Sequence, residues 1–228
     1  MTAISLEEAT ARLLDRTPVL EEETVPPLEA LGRCLTRGVR SSIAQPPFDR
    51  SPLDGYALLA ADTEQASPAS PAVLRVVDRL YAGDTARIPL LPGQAARVMT
   101  GSMIPDGADC VIRQEDTDLG TSLVRVFKAA SAGSNYCRAG EEYGMGAELL
   151  SPGRRIDAAA VALAASAGTT GLTVSRRPRV AILVTGDEVL PPGRPLPSGK
   201  VYDSVSAYLL ARLRQFGAEV QAVCKLPP

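Results

Sequence analysis

Val180-Ala181-Ile182-Leu183-Val184 is an unbroken apolar run of strand length that opens directly into Thr185-Gly186-Asp187-Glu188. An apolar run that does not alternate with polar residues predicts a parallel strand buried on both faces. A Pro- and Gly-rich loop follows to Gly199. Asp203 or Ser204 then caps an amphipathic helix carrying Val205, Leu209, Leu210, Leu213 and Phe216, and Gly217 closes it. Glu219 to Cys224 reads as the next strand. This is one β-loop-α-β unit. Two parallel strands and one helix cannot cover both faces of a sheet, so residues 178–228 are expected to begin a larger α/β domain that is incomplete here.

Working back from the Arg176-Arg177-Pro178 boundary, Asp157 is expected to cap an Ala-rich helix that ends at Gly168, with a strand and turn before it at Glu148-Leu149-Leu150 and Pro152-Gly153. Earlier still, short β-type runs recur: Tyr56 to Leu59, Val73 to Leu80, Ala96 to Met99, Cys110 to Arg113 and Leu123 to Phe127. Pro, Gly, Asp and Ser separate them. At the start, Ser5-Leu6-Glu7-Glu8 has the pattern of a capping box, and Leu6, Ala9, Leu13 and Leu14 mark one helix face that stops before Pro18. Pro26-Pro27 are expected to open a second short helix with Leu28, Leu31 and Leu35 on its apolar side, packed as a unit with the first. The Ala-rich helix is expected to rejoin these N-terminal helices. The fold class is therefore α/β and β, in several domains. Residues 1–45 plus 140–177 form a helical/β lobe, 46–139 an inserted, mostly-β lobe, and 178–228 the start of a parallel α/β domain.

Composition narrows the chemistry. The 228 residues carry 24 Lys plus Arg against 26 Asp plus Glu, and no His. Imidazole bases, Ser-His-Asp triads and His-ligated metals are excluded, which leaves carboxylates, hydroxyls, Lys, Arg, backbone N–H groups and hard cations. The four cysteines, Cys34, Cys110, Cys137 and Cys224, form no C-x-x-C pair and read as reduced, mostly core residues. No targeting segment and no membrane-length apolar run is seen, so a cytoplasmic protein without membrane contact is expected. A net charge of −2 and 4% aromatic residues argue against a nucleic-acid surface.

Polar residues collect in glycine-containing loops: Asp49 to Ala57, Thr100-Gly101-Ser102, Glu115-Asp116, Arg138 to Glu142, Thr185 to Glu188, and Asp203-Ser204. Turn and cap chemistry accounts for any one of them alone, and Asp203 reads locally as a helix cap. Together they suggest more. Ligands of open α/β sheets sit beyond the carboxyl ends of the strands, where Thr185 to Glu188 falls. Backbone N–H groups of a Thr-Gly turn and a helix N-terminus suit phosphate, and nearby carboxylates suit Mg²⁺. These parts fit metal-assisted phosphoryl or phosphoanhydride chemistry.

The run Pro46-Pro47-Phe48-Asp49-Arg50-Ser51-Pro52-Leu53-Asp54-Gly55-Tyr56-Ala57 resembles the Asp-Gly-Tyr-Ala signature of the molybdopterin molybdenumtransferases, a family related to the cofactor-making domain of gephyrin. In family order there follow Arg97 to Gly101, Pro105 to Asp109, Gln114-Glu115-Asp116, Gly140-Glu141-Glu142, Val184 to Glu188 and Val201-Tyr202-Asp203-Ser204. The resemblance implies the last step of molybdenum cofactor synthesis. Adenylylated molybdopterin is hydrolysed with release of AMP, and molybdate is inserted at the dithiolene with a divalent metal, Mg²⁺. It implies an elongated homodimer in which the lobes of one subunit face the pterin-binding α/β domain of the other. By motif position, Asp54, Thr100, Glu142 and Glu188 correspond to residues implicated in activity. Thr185, Gly186, Asp187, Asp203 and Ser204 fall in the substrate loops, Arg138 is the remaining cation of an Arg-rich run, and Asp187 and Glu188 are the candidate metal ligands. Four departures stand out: Arg50 where the family has Asn, Glu142 where it has Asp, Cys137 and Ala139 flanking Arg138 where it has cations, and Val205 where it has Asn. The family's later Ser-Gly-Gly loop, the rest of the pterin domain and its C-terminal β domain have no counterpart in this sequence, so an N-terminal portion is expected. A non-catalytic scaffold or dimerisation module is the alternative.

Overall fold

The computed structural model describes residues 4–226; the first three residues and the closing Pro227-Pro228 lie outside the described residues. Among the described residues the chain is mostly β with three α-helices. It divides into two units. One contains the residues up to Arg40 and those from Glu148 onward, and the other is Ser41–Ala147. In chain order the first unit supplies α1 (Leu6–Arg16), β1 (Glu22–Val25) and β2 (Val39–Arg40). The second supplies β3 (Gly55–Leu58), β4 (Ala72–Leu80), β5 (Gln94–Val98), β6 (Cys110–Arg113) and β7 (Leu123–Val126). The first unit resumes with β8 (Glu148–Leu150), α2 (Ala158–Ser166), β9 (Leu172–Ser175), β10 (Arg179–Val184), β11 (Val189–Leu190), β12 (Val201–Tyr202), α3 (Ser204–Gln215) and β13 (Glu219–Lys225).

The second unit is built on one five-stranded sheet in the order β6-β3-β5-β4-β7. Within it β3 runs antiparallel to both of its neighbours, β5 and β6, while β4 and the central strand β5 are parallel. All four β3 residues are buried. Alternation sends Tyr56 and Leu58 to one core with Leu74, Ile112 and Val124, and Ala57 to another with Leu80, Val98 and Val111. Two covered faces explain why these strands read as short continuous apolar runs. Gly55 opens β3 because nothing larger fits: a Cβ there would lie 2.0 Å from the Ile112 carbonyl oxygen.

In the first unit β1 pairs antiparallel with β9, and β2 with β8. The core is Leu35, Leu150, Ile156, Leu172 and Val174 against Ala160 and Ala164 of α2. Small residues one helical turn apart let that helix lie close on the strands. Asp157 caps α2 by accepting from the Ala160 N–H at 2.7 Å, and Gly168 follows its end at φ +73°.

Four expectations change. The stretch after Pro26-Pro27 is a series of backbone turns rather than a helix, ended by Gly32 at φ +78°, with Leu28 and Leu31 exposed and only Leu35 buried. The helix α1 forms with its Ser5 cap, but none of its residues is buried, so the Ala-rich helix rejoins residues 25–39 and not α1. The strand β10 pairs in parallel with β13, yet it is buried only at Ile182, and Leu183 is 61% exposed, because one helix and one neighbouring strand cannot cover it. Among the cysteines, all unpaired, only Cys110 is buried; Cys34 and Cys224 are exposed. Burial pushes the Cys110 thiol up to about 12, helped by the charge of Asp109.

Candidate functional site

In the second unit the turn before β3 and the turn after β5 meet. Asp54 Oδ1 accepts two hydrogen bonds from Thr100, one from its N–H and one from its hydroxyl, each 2.8 Å. These two bonds, the backbone one first, hold the Asp54 carboxyl below the usual carboxylate range, and the charge of Arg97 adds to the effect. Asp54 Oδ2 has no partner among the described residues. Arg97 stands across from Tyr56 in the β3–β5 register, with its guanidinium 4.8 Å from the ring centroid. Its Nη2 donates to Gln114 Oε1 at 2.5 Å, while its buried Nη1 has no partner.

Residues 45–51 are clamped on both sides by backbone hydrogen bonds. Arg50 exchanges bonds of 2.9 and 3.1 Å with Cys137, Gln45 accepts from Glu142, and Ser51 exchanges bonds with the 101–102 turn. The Asp49 carboxylate ties this to the return loop, accepting from the Ala139 N–H at 2.8 Å and the Tyr136 hydroxyl at 2.5 Å. Burial and then the Asp49 bond push the Tyr136 phenol up to about 12. Two family departures meet here: Arg50 Nη2 pairs with Glu142 Oε1 at 2.9 Å. The Arg138 guanidinium lies 5.6 Å from the Tyr136 ring centroid, a cation–π contact that leaves its edge open to an anion.

In the first unit Thr185 follows the carboxyl end of β10, and Gly186 turns the chain at φ +119°. A Cβ at Gly186 would meet the Glu188 carboxylate oxygens at 2.9 Å, so that carboxylate lies folded against the turn. The short parallel pair β11–β12 then brings the two loops side by side: Val201 donates to the Glu188 carbonyl and Asp203 to that of Leu190. Asp203 is the N-cap of α3, accepting from the Ser206 N–H at 2.8 Å, and the Ser206 bonds lower its pKa. Ser204 is the first helical residue. Lys200 Nζ donates to the Asp187 carbonyl at 3.1 Å.

The candidates thus fall into two groups. Asp54, Thr100, Glu142 and Arg138 belong to the second unit, and Thr185, Gly186, Asp187, Glu188, Asp203 and Ser204 to the first. Asp49, Arg97 and Lys200 join them from the structure. Asp49 and Arg97 stand inside the quoted motifs, and nothing in the local sequence sets either apart from its neighbours. The Mg²⁺ ligand set does not assemble: among the described residues no three His, Cys, Asp or Glu side chains converge on a point. Asp187 and Glu188 alone do not make a cation site.

Residues 4–168 match the family model of the MoeA N-terminal region, domains I and II. The chain is 38% identical over 199 residues to molybdopterin molybdenumtransferase 2 of Mycobacterium tuberculosis (strain CDC 1551 / Oshkosh), covering 87% of this chain and 49% of that protein. It is 35% identical over 221 residues to the Bacillus subtilis (strain 168) molybdopterin molybdenumtransferase, covering 95% and 51%. The chain spans about half the length of these relatives. Among solved structures, a molybdopterin biosynthesis MoeA protein from Pyrococcus horikoshii OT3 superposes with a TM-score of 0.87 at 31% identity, covering 97% of this chain and 60% of that one. Mostly-β architecture, the ordered Asp-Gly-Tyr-Ala series and the matched model agree: the chain belongs to the family of the MoeA N-terminal region.

Proposed function

We propose that the chain works in molybdenum cofactor biosynthesis in the cytoplasm, as the N-terminal portion of a molybdopterin molybdenumtransferase. Water cleaves the phosphoanhydride of adenylylated molybdopterin, AMP leaves, and molybdate is bound at the freed pterin's dithiolene sulfurs. The observation that carries this reading is Asp54. One oxygen is held twice by Thr100 and the other is open, so the carboxylate is ionised and aimed before any ligand arrives. Its pKa is lowered rather than raised, which suits a carboxylate that orients the attacking water and balances nearby cations better than one that takes up a proton. Glu142, restrained by Arg50, is the second acidic group, and Arg138 holds an anionic substrate group. The Thr185-Gly186 turn, Asp187, Glu188 and the α3 N-terminus with Asp203 and Ser204 form the pterin-side loops, where backbone N–H groups meet the adenylyl phosphate. No step is routed through Mg²⁺. In this reading residues 178–228 begin the pterin-binding domain and the protein is a homodimer.

The test is molybdate-dependent AMP release from adenylylated molybdopterin by the full-length protein. Asp54→Ala is expected to lower it by about 100-fold or more; normal release rejects the site. One observation favours a scaffold or dimerisation module: α1 exposes Leu6 at 78%, Leu13 at 70% and Leu14 at 70%, a stripe suited to a partner. A chain that dimerises through α1 but binds no molybdopterin supports that second reading. No described helix is long and apolar enough to cross a membrane.

A further inference from the structure

A cavity of about 520 Å³ lies in the first unit, at the amino ends of β10 and β13. Five arginines line it, Arg33, Arg155, Arg176, Arg177 and Arg214, and no acidic residue does. Two of them are paired with exposed carboxylates that are not part of the lining: Arg33 with Glu23, and Arg176 with Glu21 at 2.7 Å. Arg155 uses its Nε on the Gly32 carbonyl at 3.1 Å. Among the described residues Arg155, Arg177 and Arg214 have no carboxylate partner. The Arg33 side chain is only 9% exposed, is pinned to the Ser175 carbonyl at 2.6 Å, and keeps a buried Nε with no partner. Three guanidiniums without a carboxylate partner around one concavity leave a local excess of positive charge that an entering anion relieves.

We propose that this cavity is a binding site for a small polyphosphate anion, separate from the loops read above as the pterin side. Guanidinium edges bind phosphate oxygens in pairs, and three uncompensated cations match a di- or triphosphate better than a single monoanion. The volume suits a ligand of nucleotide size. Phe216, 63% exposed on the same wall, has the Arg212 guanidinium 4.6 Å from its ring centroid and adds apolar surface for a nucleoside. The site is remote from Thr185 to Glu188: the six-residue β10 leads from one to the other, roughly 20 Å at about 3.3 Å per residue.

The test is calorimetric titration of the 228-residue chain with pyrophosphate and, separately, with ADP. One ion is expected to bind per chain. Arg177→Glu with Arg214→Glu, both exposed and unpartnered side chains, should weaken binding by about tenfold or more. Arg87→Glu, the same charge change at an exposed arginine of the second unit, should leave it unchanged. ADP tighter than pyrophosphate supports a nucleotide ligand, and equal affinity supports recognition of the polyphosphate alone. No binding of either probe, binding that survives the double variant, or an equal loss in Arg87→Glu overturns the site. Far-UV circular dichroism of each variant separates a lost site from a lost fold.

Discussion

A methyl group at Gly55 tests the packing that presents Asp54. The Cβ would sit 2.0 Å from the Ile112 oxygen and 3.1 Å from Val111 Cγ1. An ordinary C···O contact is about 3.3 Å, so roughly 1.3 Å must be found. The obstacle is the backbone of β6, which cannot swing away as a side chain would. Relief therefore peels β6 from β3 at the Tyr56–Ile112 register. Loss of two ladder bonds at about 1 kcal/mol each, added to an overpacking cost of about 1–3 kcal/mol, gives about 3–5 kcal/mol. With a urea slope near 1.5 kcal/mol per molar, the midpoint falls by about 2–3 M. Cys110 supplies the readout. It begins β6 and is fully buried, so its reaction with a thiol reagent reports opening of this sheet. Gly83→Ala is the control: its φ is +95° but nothing lies within 4 Å of the added carbon, and about 1 kcal/mol is expected. If Gly55→Ala protects Cys110 to the same urea concentration as Gly83→Ala, the close approach is not what excludes a side chain there.

Thr100→Val removes one of the two hydrogen bonds on Asp54 Oδ1 and leaves the backbone one, so the Asp54 midpoint in carboxyl NMR should rise only part of the way to its ordinary value. Because the folded-state pKa of Asp54 is depressed, its stabilising contribution is complete above the unfolded value near 3.8 and is lost as pH falls through the folded one; wild type should lose more stability below pH 4 than Asp54→Asn does. Asp49→Asn should move the Tyr136 phenol down from about 12, though not fully to 10, since burial is the larger cause; ultraviolet titration reads this directly. A double-mutant cycle on Arg50 and Glu142, side chains 35% and 50% exposed, should give a coupling of about 0.2–1 kcal/mol that vanishes in high salt. Asp157→Ala should lower the melting temperature by a few degrees, roughly, through the lost cap on α2.

What could be read from the residues was mostly what depends on near neighbours. Cys110 to Arg113 and Val73 to Leu80 form strands close to where the apolar runs lie, and Ser5 and Asp157 cap the helices they precede. Burial was less legible, because it depends on what lies opposite. Leu6, Leu13 and Leu14 make a regular stripe that nothing in the described residues covers, and Leu183 is exposed for want of a second neighbour. The Pro26 segment has helix-opening residues but reaches Gly32 before a helix can propagate. β11 and β12 are two residues each, below the length at which alternation can be seen. In the candidate site, Asp54 and Thr100 were recognisable one motif at a time, but their bond spans 46 positions of sequence, and the Arg50–Glu142 pair spans 92. Each half of that pair looked like an isolated departure, and only the fold brings the two side chains together.

The pairing of β1 with β9 also sets an order of events on the ribosome. Glu22 waits for Ser175, synthesised about 150 residues later, while every strand of the Ser41–Ala147 sheet is already complete. The inserted unit is therefore free to fold first, and its closed ends, joined where the Ser41 N–H meets the Ala147 carbonyl at 2.9 Å, then hold β2 and β8 near each other. Loop closure for the outer unit is in this way largely completed before its own last strand emerges. A stalled or slowly folding insert would leave the nascent N-terminal segment without its strand partners, and chaperone capture should concentrate there.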